Sequence, residues 1–213
     1  MLKLYLHPLS SYCHKVLIAL YESDIPFERK ILGDASTMNE LKSLWPIGKF
    51  PVLRDDGRDQ TIPESSIIIE YLAQHYPGKV KWLPEDRELA LQVRLWDRIF
   101  DNFLHAPMQK YAADQLRPAD RRDSYGVEEA ASRFRSTLDT LEAHLSGKTW
   151  AVGQDFTLAD CSAGPPLFYG DIFYGPIRDS HPQTRAYLDR LMARPSYARA
   201  LDEAQPYMHM LPK

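Results

Sequence analysis

Two serines and a cysteine, Ser10, Ser11 and Cys13, follow the alternating run Leu2-Lys3-Leu4-Tyr5-Leu6 and precede the apolar stretch Val16-Leu17-Ile18-Ala19-Leu20. A strand, a short turn and a helix in that order place these side chains at a helix N-terminus. Unpaired backbone N–H groups and about half a positive charge favour an anion there. A hydroxyl at that place can donate a hydrogen bond to a bound thiolate and lower its pKa. A cysteine there can itself be thiolate-like. Serine is also a favoured N-cap, so this stretch alone leaves chemistry and capping open.

Two further turns carry chemistry. Lys49-Phe50-Pro51-Val52 opens a strand on a proline, which suits a sheet edge or a cis bond. A cis Phe50–Pro51 peptide would turn the Phe50 backbone outward, toward whatever binds beside the first turn. In Pro63-Glu64-Ser65-Ser66, Ser65 reads as an N-cap whose neighbouring N–H groups can hold a carboxylate. Glu64 beside it can accept from an ammonium. Together they suit an amino-acid head group, and equally a cap beside a solvated charge.

The elements that must position these turns alternate. Residues 2–6 read as a strand, 11–22 as a helix, 27–32 as a strand, and 36–44 as a helix capped by Ser36. A hairpin around Arg54-Asp55-Asp56-Gly57-Arg58-Asp59 and a helix from Ser65 to about His75 complete a βαβαββα order. Residues 1–76 form one expected domain, 77–86 a Pro/Gly-containing linker, and 87–213 an all-helical domain. Leu89, Val93, Trp96, Phe100 and Phe103 mark one face of a long helix, and Phe134, Leu138, Leu141 and Leu145 a second over 124–145. Phe156-Thr157-Leu158-Ala159-Asp160 reads as a capping box, with Phe156 and Cys161 as its hydrophobic staple. Two short helices, at 182–193 and 195–203, close the chain.

Composition narrows the class. Of 213 residues, 44% are hydrophobic and 26% charged, and the net charge of −3 comes without any long run of one sign. Nothing in that pattern points to nucleic acid or a membrane surface, and no apolar stretch approaches the ~20 residues of a bilayer span. Two cysteines in the whole chain argue for a reducing compartment, so a cytoplasmic protein is expected. The histidines show no metal-ligand spacing.

The element order, the SSYC turn, the FPVL strand, the PESSIIIEYL helix, FTLAD and RPSYARAL together resemble the glutathione S-transferase family along essentially the whole chain. The likeness is to the cytosolic, bacterial-like form, and it implies serine at the catalytic position. The resemblance implies a thioredoxin-like α/β domain followed by an all-α domain, and a homodimer. It implies glutathione as co-substrate, with no metal. Ser10 would activate the glutathione sulfur, with Ser11 a second donor. Lys49 would reach the glycyl carboxylate, Phe50 before Pro51 would pair with the cysteinyl part, and Glu64 and Ser65 would hold the γ-glutamyl head. Cys13 falls at the resolving position of a CxxC pair whose first member is absent, and reads as packing. His105, Met108 and Tyr111 are the candidates for the pocket of a small hydrophobic electrophile. The implied activity is glutathione conjugation. The alternatives are a glutathione-dependent isomerase or lyase of zeta type, whose arginines are replaced here by Lys15 and Leu17, and a non-catalytic binding or regulatory relative.

Overall fold

The alternating leucines form β1 (Leu2–Leu6) in the computed structural model, which describes residues 1–177 and 180–212. The sheet also contains β2 (Glu28–Ile31), β3 (Val52–Asp55) and β4 (Gln60–Pro63), in the order β2-β1-β3-β4. β1 runs parallel to β2, with Lys3 opposite Glu28, and antiparallel to β3, with Leu4 opposite Leu53. β3 and β4 form the expected hairpin, with Leu53 opposite Ile62. Helices α1 (Ser11–Glu22), α2 (Ala35–Leu44) and α3 (Ser65–His75) complete βαβαββα. Alternation predicts Tyr5 on a solvent face, yet it is buried with Leu32, Leu41 and Val52. β1 is central and helix α2 covers its second face, where Tyr5 Oη donates to Glu40 at 2.6 Å.

Two caps differ from expectation. Asp34, rather than Ser36, caps α2 by accepting from the Thr37 N–H at 2.9 Å. Glu64, rather than Ser65, is the N-cap of α3. Asp34 wins because its carboxylate sits one residue before the helix and reaches the third N–H, the usual N-cap geometry.

Among the described residues after Arg87 the regular elements are all helical: α4 (Arg87–Ile99), a π-helical turn (Phe100–His105), α5 (Ala106–Gln115), a short 3₁₀ turn (Ala119–Arg121), α6 (Ser124–His144), α7 (Leu158–Phe173), α8 (Pro182–Met192) and α9 (Pro195–Ala204), with a terminal 3₁₀ segment (Gln205–Met210). The π-turn corrects the long-helix pattern. Val93, Trp96 and Phe100 are buried as expected, but Leu89 and Phe103 are 42% and 45% exposed. Past Phe100 the wider turn rotates the face, so Phe103 points outward and Leu104 and Met108 take the inward positions instead, whereas Leu89 lies ahead of it in the first turn of α4. The capping box is present at α7: Asp160 accepts from the Thr157 N–H at 2.8 Å, and its other oxygen binds Ala151 N–H and Tyr187 Oη. Among the described residues no helix is long and apolar enough to cross a membrane.

Helix α1 is enclosed by α3 on one side and by α7 and α9 on the other. Cys13 to Leu20 are therefore buried without a break, which explains why its apolar residues show no single stripe.

Candidate functional site

The turn from β1 into α1 makes Ser10 the N-cap. Its Oγ accepts from the Cys13 N–H at 3.3 Å, and its own N–H donates to the His7 carbonyl at 2.9 Å. Capping uses an oxygen lone pair and leaves the hydroxyl hydrogen free to donate outward. Ser11 is buried, and its Oγ accepts from Gln109 Nε2 at 3.3 Å. Cys13 is fully buried, and burial pushes its thiol up to about 12. It is a core side chain, as the sequence suggested, and no thiolate.

The Phe50–Pro51 peptide is cis. Lys49 beside it is exposed and makes no ion pair among the described residues. Glu64 has φ +69°, a region that non-glycine residues rarely occupy, and its side chain makes no capping bond. The carboxylate is thus left uncommitted at the mouth of α3, where Ser65 and Ser66 begin the helix.

Ser10, Ser11, Lys49, Phe50, Pro51, Glu64 and Ser65 all line one cavity of about 750 Å³. Opposite them the wall is mixed: Met108 and Ala112 from α5, Leu116 just after it, Phe173 from α7, and Met210 and Leu211 from the chain end form an apolar part, beside the polar Arg98, Asp101, Asn102 and Gln109. Met108 is on this wall, although the residue is largely buried. His105 and Tyr111 are not on this wall. The π-turn directs His105 inward, where it is fully buried, stacks on Tyr12 with centroids 4.2 Å apart, and meets Asp101 through Nδ1 at 3.2 Å. Burial lowers its pKa more than Asp101 raises it. Tyr111 packs against Phe173 at 5.4 Å and Tyr174 at 5.3 Å.

From the cavity wall, where Arg98 and Asp101 line it, a charged cluster that sequence reasoning did not assemble extends into the interior. Lys15, fully buried on α1, donates to Asp97 at 2.6 Å, to Asp101 at 3.0 Å and to Ser66 at 2.8 Å. Arg98 binds the same two carboxylates and Ser66 from the cavity side. Ser162 of α7 closes the cluster on Asp97 at 2.5 Å. Burial opposes ionisation of Asp101, but Lys15, His105 and Arg98 outweigh it and hold its carboxyl well below the usual range. Two cations and two carboxylates thus tie α1, α3, α4 and α7 together directly behind the residue after Ser65. The signal in the sequence was a lysine inside an apolar helix, with two aspartates four residues apart on another.

Comparison with known proteins follows this geometry. The model for the glutathione S-transferase N-terminal domain matches residues 4–80, and that for the glutathione S-transferase C-terminal domain matches 124–190. A glutathione S-transferase-like protein of Fusarium is 32% identical over 131 residues, which are 61% of this chain and 58% of that protein. A glutathione S-transferase of Arabidopsis thaliana is 29% identical over 209 residues, covering 93% of this chain and 94% of that one. Among solved structures, a glutathione S-transferase from Methylobacterium radiotolerans, in complex with glutathione sulfonate, superposes with a TM-score of 0.82 at 28% identity, covering 93% of each chain.

Proposed function

The chain belongs to the glutathione S-transferase family, and on that premise we propose that it conjugates glutathione to small apolar electrophiles. The observation that carries the reading is the convergence of three separate turns on one cavity whose opposite wall includes an apolar patch around Met108, Ala112, Leu116 and Phe173. Ser10 donates its hydroxyl hydrogen to the glutathione thiolate while the N-terminus of α1 supplies positive potential, so the thiol ionises nearer neutral pH. Ser11 is a second donor in this reading. The uncommitted Glu64 carboxylate takes the γ-glutamyl ammonium, and the first N–H groups of α3 at Ser65 take its carboxylate. The Phe50 backbone, preceding Pro51, pairs with the cysteinyl unit, and Lys49 meets the glycyl carboxylate. Met108 and its apolar neighbours receive the electrophile.

In this reading the enzyme works in the cytoplasm as a homodimer. Ile67 on α3 and Leu91 and Leu95 on α4 are 53%, 58% and 49% exposed, which supports a two-fold contact through that face. Retention on immobilised glutathione, followed by conjugation of chlorodinitrobenzene, tests the activity. Wild type is expected to bind and react, Ser10→Ala to lose roughly a hundredfold in kcat/KM, and Cys13→Ala to retain its rate. Failure to bind glutathione overturns the reading. Binding without reaction replaces it by the non-catalytic one.

A further inference from the structure

His7 stands in the turn between β1 and α1, three residues before Ser10, and lines the same cavity. The Leu9 backbone N–H donates to its Nδ1 at 3.2 Å. A ring nitrogen that accepts from an amide carries no proton of its own, so the hydrogen of the neutral imidazole is on Nε2. Burial also lowers the His7 pKa, which keeps the ring neutral near pH 7. Tyr207 packs edge-on against it, with centroids 5.5 Å apart. Tautomer and ring plane are thus both fixed. Nε2 has no hydrogen-bond partner among the described residues and is not sealed in the interior. The role assigned to Ser10 leaves this donor unused.

We propose that His7 is a further catalytic donor whose Nε2–H binds the acceptor oxygen of the electrophile, so that the preferred second substrates are α,β-unsaturated carbonyl compounds rather than simple alkyl halides. The inference rests on the glutathione reading above. The thiolate sulfur forms a bond to the β-carbon, and the π pair of the C=C bond moves to leave an enolate on the carbonyl oxygen. His7 stabilises that oxygen by hydrogen bonding and keeps its proton. The α-carbon then takes a proton from water. An alkyl halide instead expels halide and builds no negative charge on an oxygen, so the same donor contributes little to its transition state.

The test compares wild type, His7→Phe and His7→Gln with trans-4-phenyl-3-buten-2-one and with 1-iodohexane, alongside glutathione affinity by calorimetry. Phe keeps a ring against Tyr207 and removes the donor; Gln restores an N–H near the position of Nε2. His7→Phe is expected to lose at least about tenfold in kcat/KM for the enone, to hold the iodohexane rate within about twofold, and to keep its glutathione affinity. His7→Gln is expected to recover much of the enone rate. Equal losses on both substrates, or no loss on the enone, overturn the role of His7 while leaving the transferase reading standing. A wild type that binds no glutathione overturns both.

Discussion

Lys15→Met keeps most of the length of the stem and removes the ammonium shared by Asp97 at 2.6 Å and Asp101 at 3.0 Å. Both carboxylates are buried, at 3% and 7% exposure, and Arg98, with the His105 ring beside Asp101, remains to face two negative charges. Removing one partner of a buried ion pair costs about 3–5 kcal/mol, because the charge left behind has neither water nor a counter-ion. The hydroxyls of Ser66 and Ser162 still donate to Asp97, so the lower end, about 3 kcal/mol at pH 7, is expected. Urea unfolding at one protein concentration, followed by tryptophan fluorescence, reads this as a shifted midpoint at unchanged slope. The pH dependence carries the signature. In wild type the folded Asp101 carboxyl is held low, so its contribution is complete above the ordinary carboxylate range and disappears only as pH falls through the folded value. Without Lys15 that folded value rises, and acid neutralises the stranded charge. The gap between variant and wild type therefore narrows from pH 7 toward about pH 4. Adding Asp97→Asn restores the charge balance and recovers part of the loss. A loss below about 1 kcal/mol, or a gap indifferent to pH, refutes the reasoning.

Two other outcomes follow from burial. At a pKa of about 12, Cys13 has a thiolate fraction near 10⁻⁴ at pH 8, and burial also raises the Cys161 thiol well above its ordinary value. Neither thiol should react with Ellman's reagent in the native protein within minutes, and both should titrate in guanidinium; rapid native labelling contradicts the packing. His14 is fully buried, and that burial lowers its pKa to about 4, while Nε2 meets the Pro8 carbonyl at 2.6 Å. The unfolded chain therefore binds the proton first as pH falls below the ordinary histidine value. Stability from this group is lost on acidification toward pH 4, by up to about 3 kcal/mol. His14→Gln should flatten that part of the stability profile measured by urea midpoints, and an unchanged slope counts against the assignment.

The sequence carried local signals more faithfully than relational ones. The β1 alternation, the end of α3 at His75 and the capping box at Thr157 and Asp160 were legible because each is decided within a few residues. The cavity residues on the three turns were named in advance, but only the resemblance brought them together, since no local pattern says that Ser10, Phe50 and Glu64 meet. His105 went astray because the π-turn at Phe100–His105 sets it inward against Tyr12 and Asp101, and Tyr111 because it packs against Phe173 and Tyr174. Neither capping preference nor hydrophobic period announces such a turn. The Lys15 cluster was hidden for the opposite reason. Its members lie on five elements, and a charge on an apolar helix reveals that it must be paired without revealing where.

The enclosure of α1 sets an order of events during synthesis. Its apolar flank is completed by α7 and α9, and Arg194 and Ser196, at the start of α9, bind Glu22 at its far end. At about 5–20 residues per second, the roughly 130 residues between His75 and Ala204 take about 6–26 s to emerge. Through that interval the sheet and its helices are already outside the ribosome with one greasy flank of α1 uncovered. A chain that ends before α9 leaves that apolar flank of α1 without its cover, so the first domain owes part of its closure to the last helix of the second.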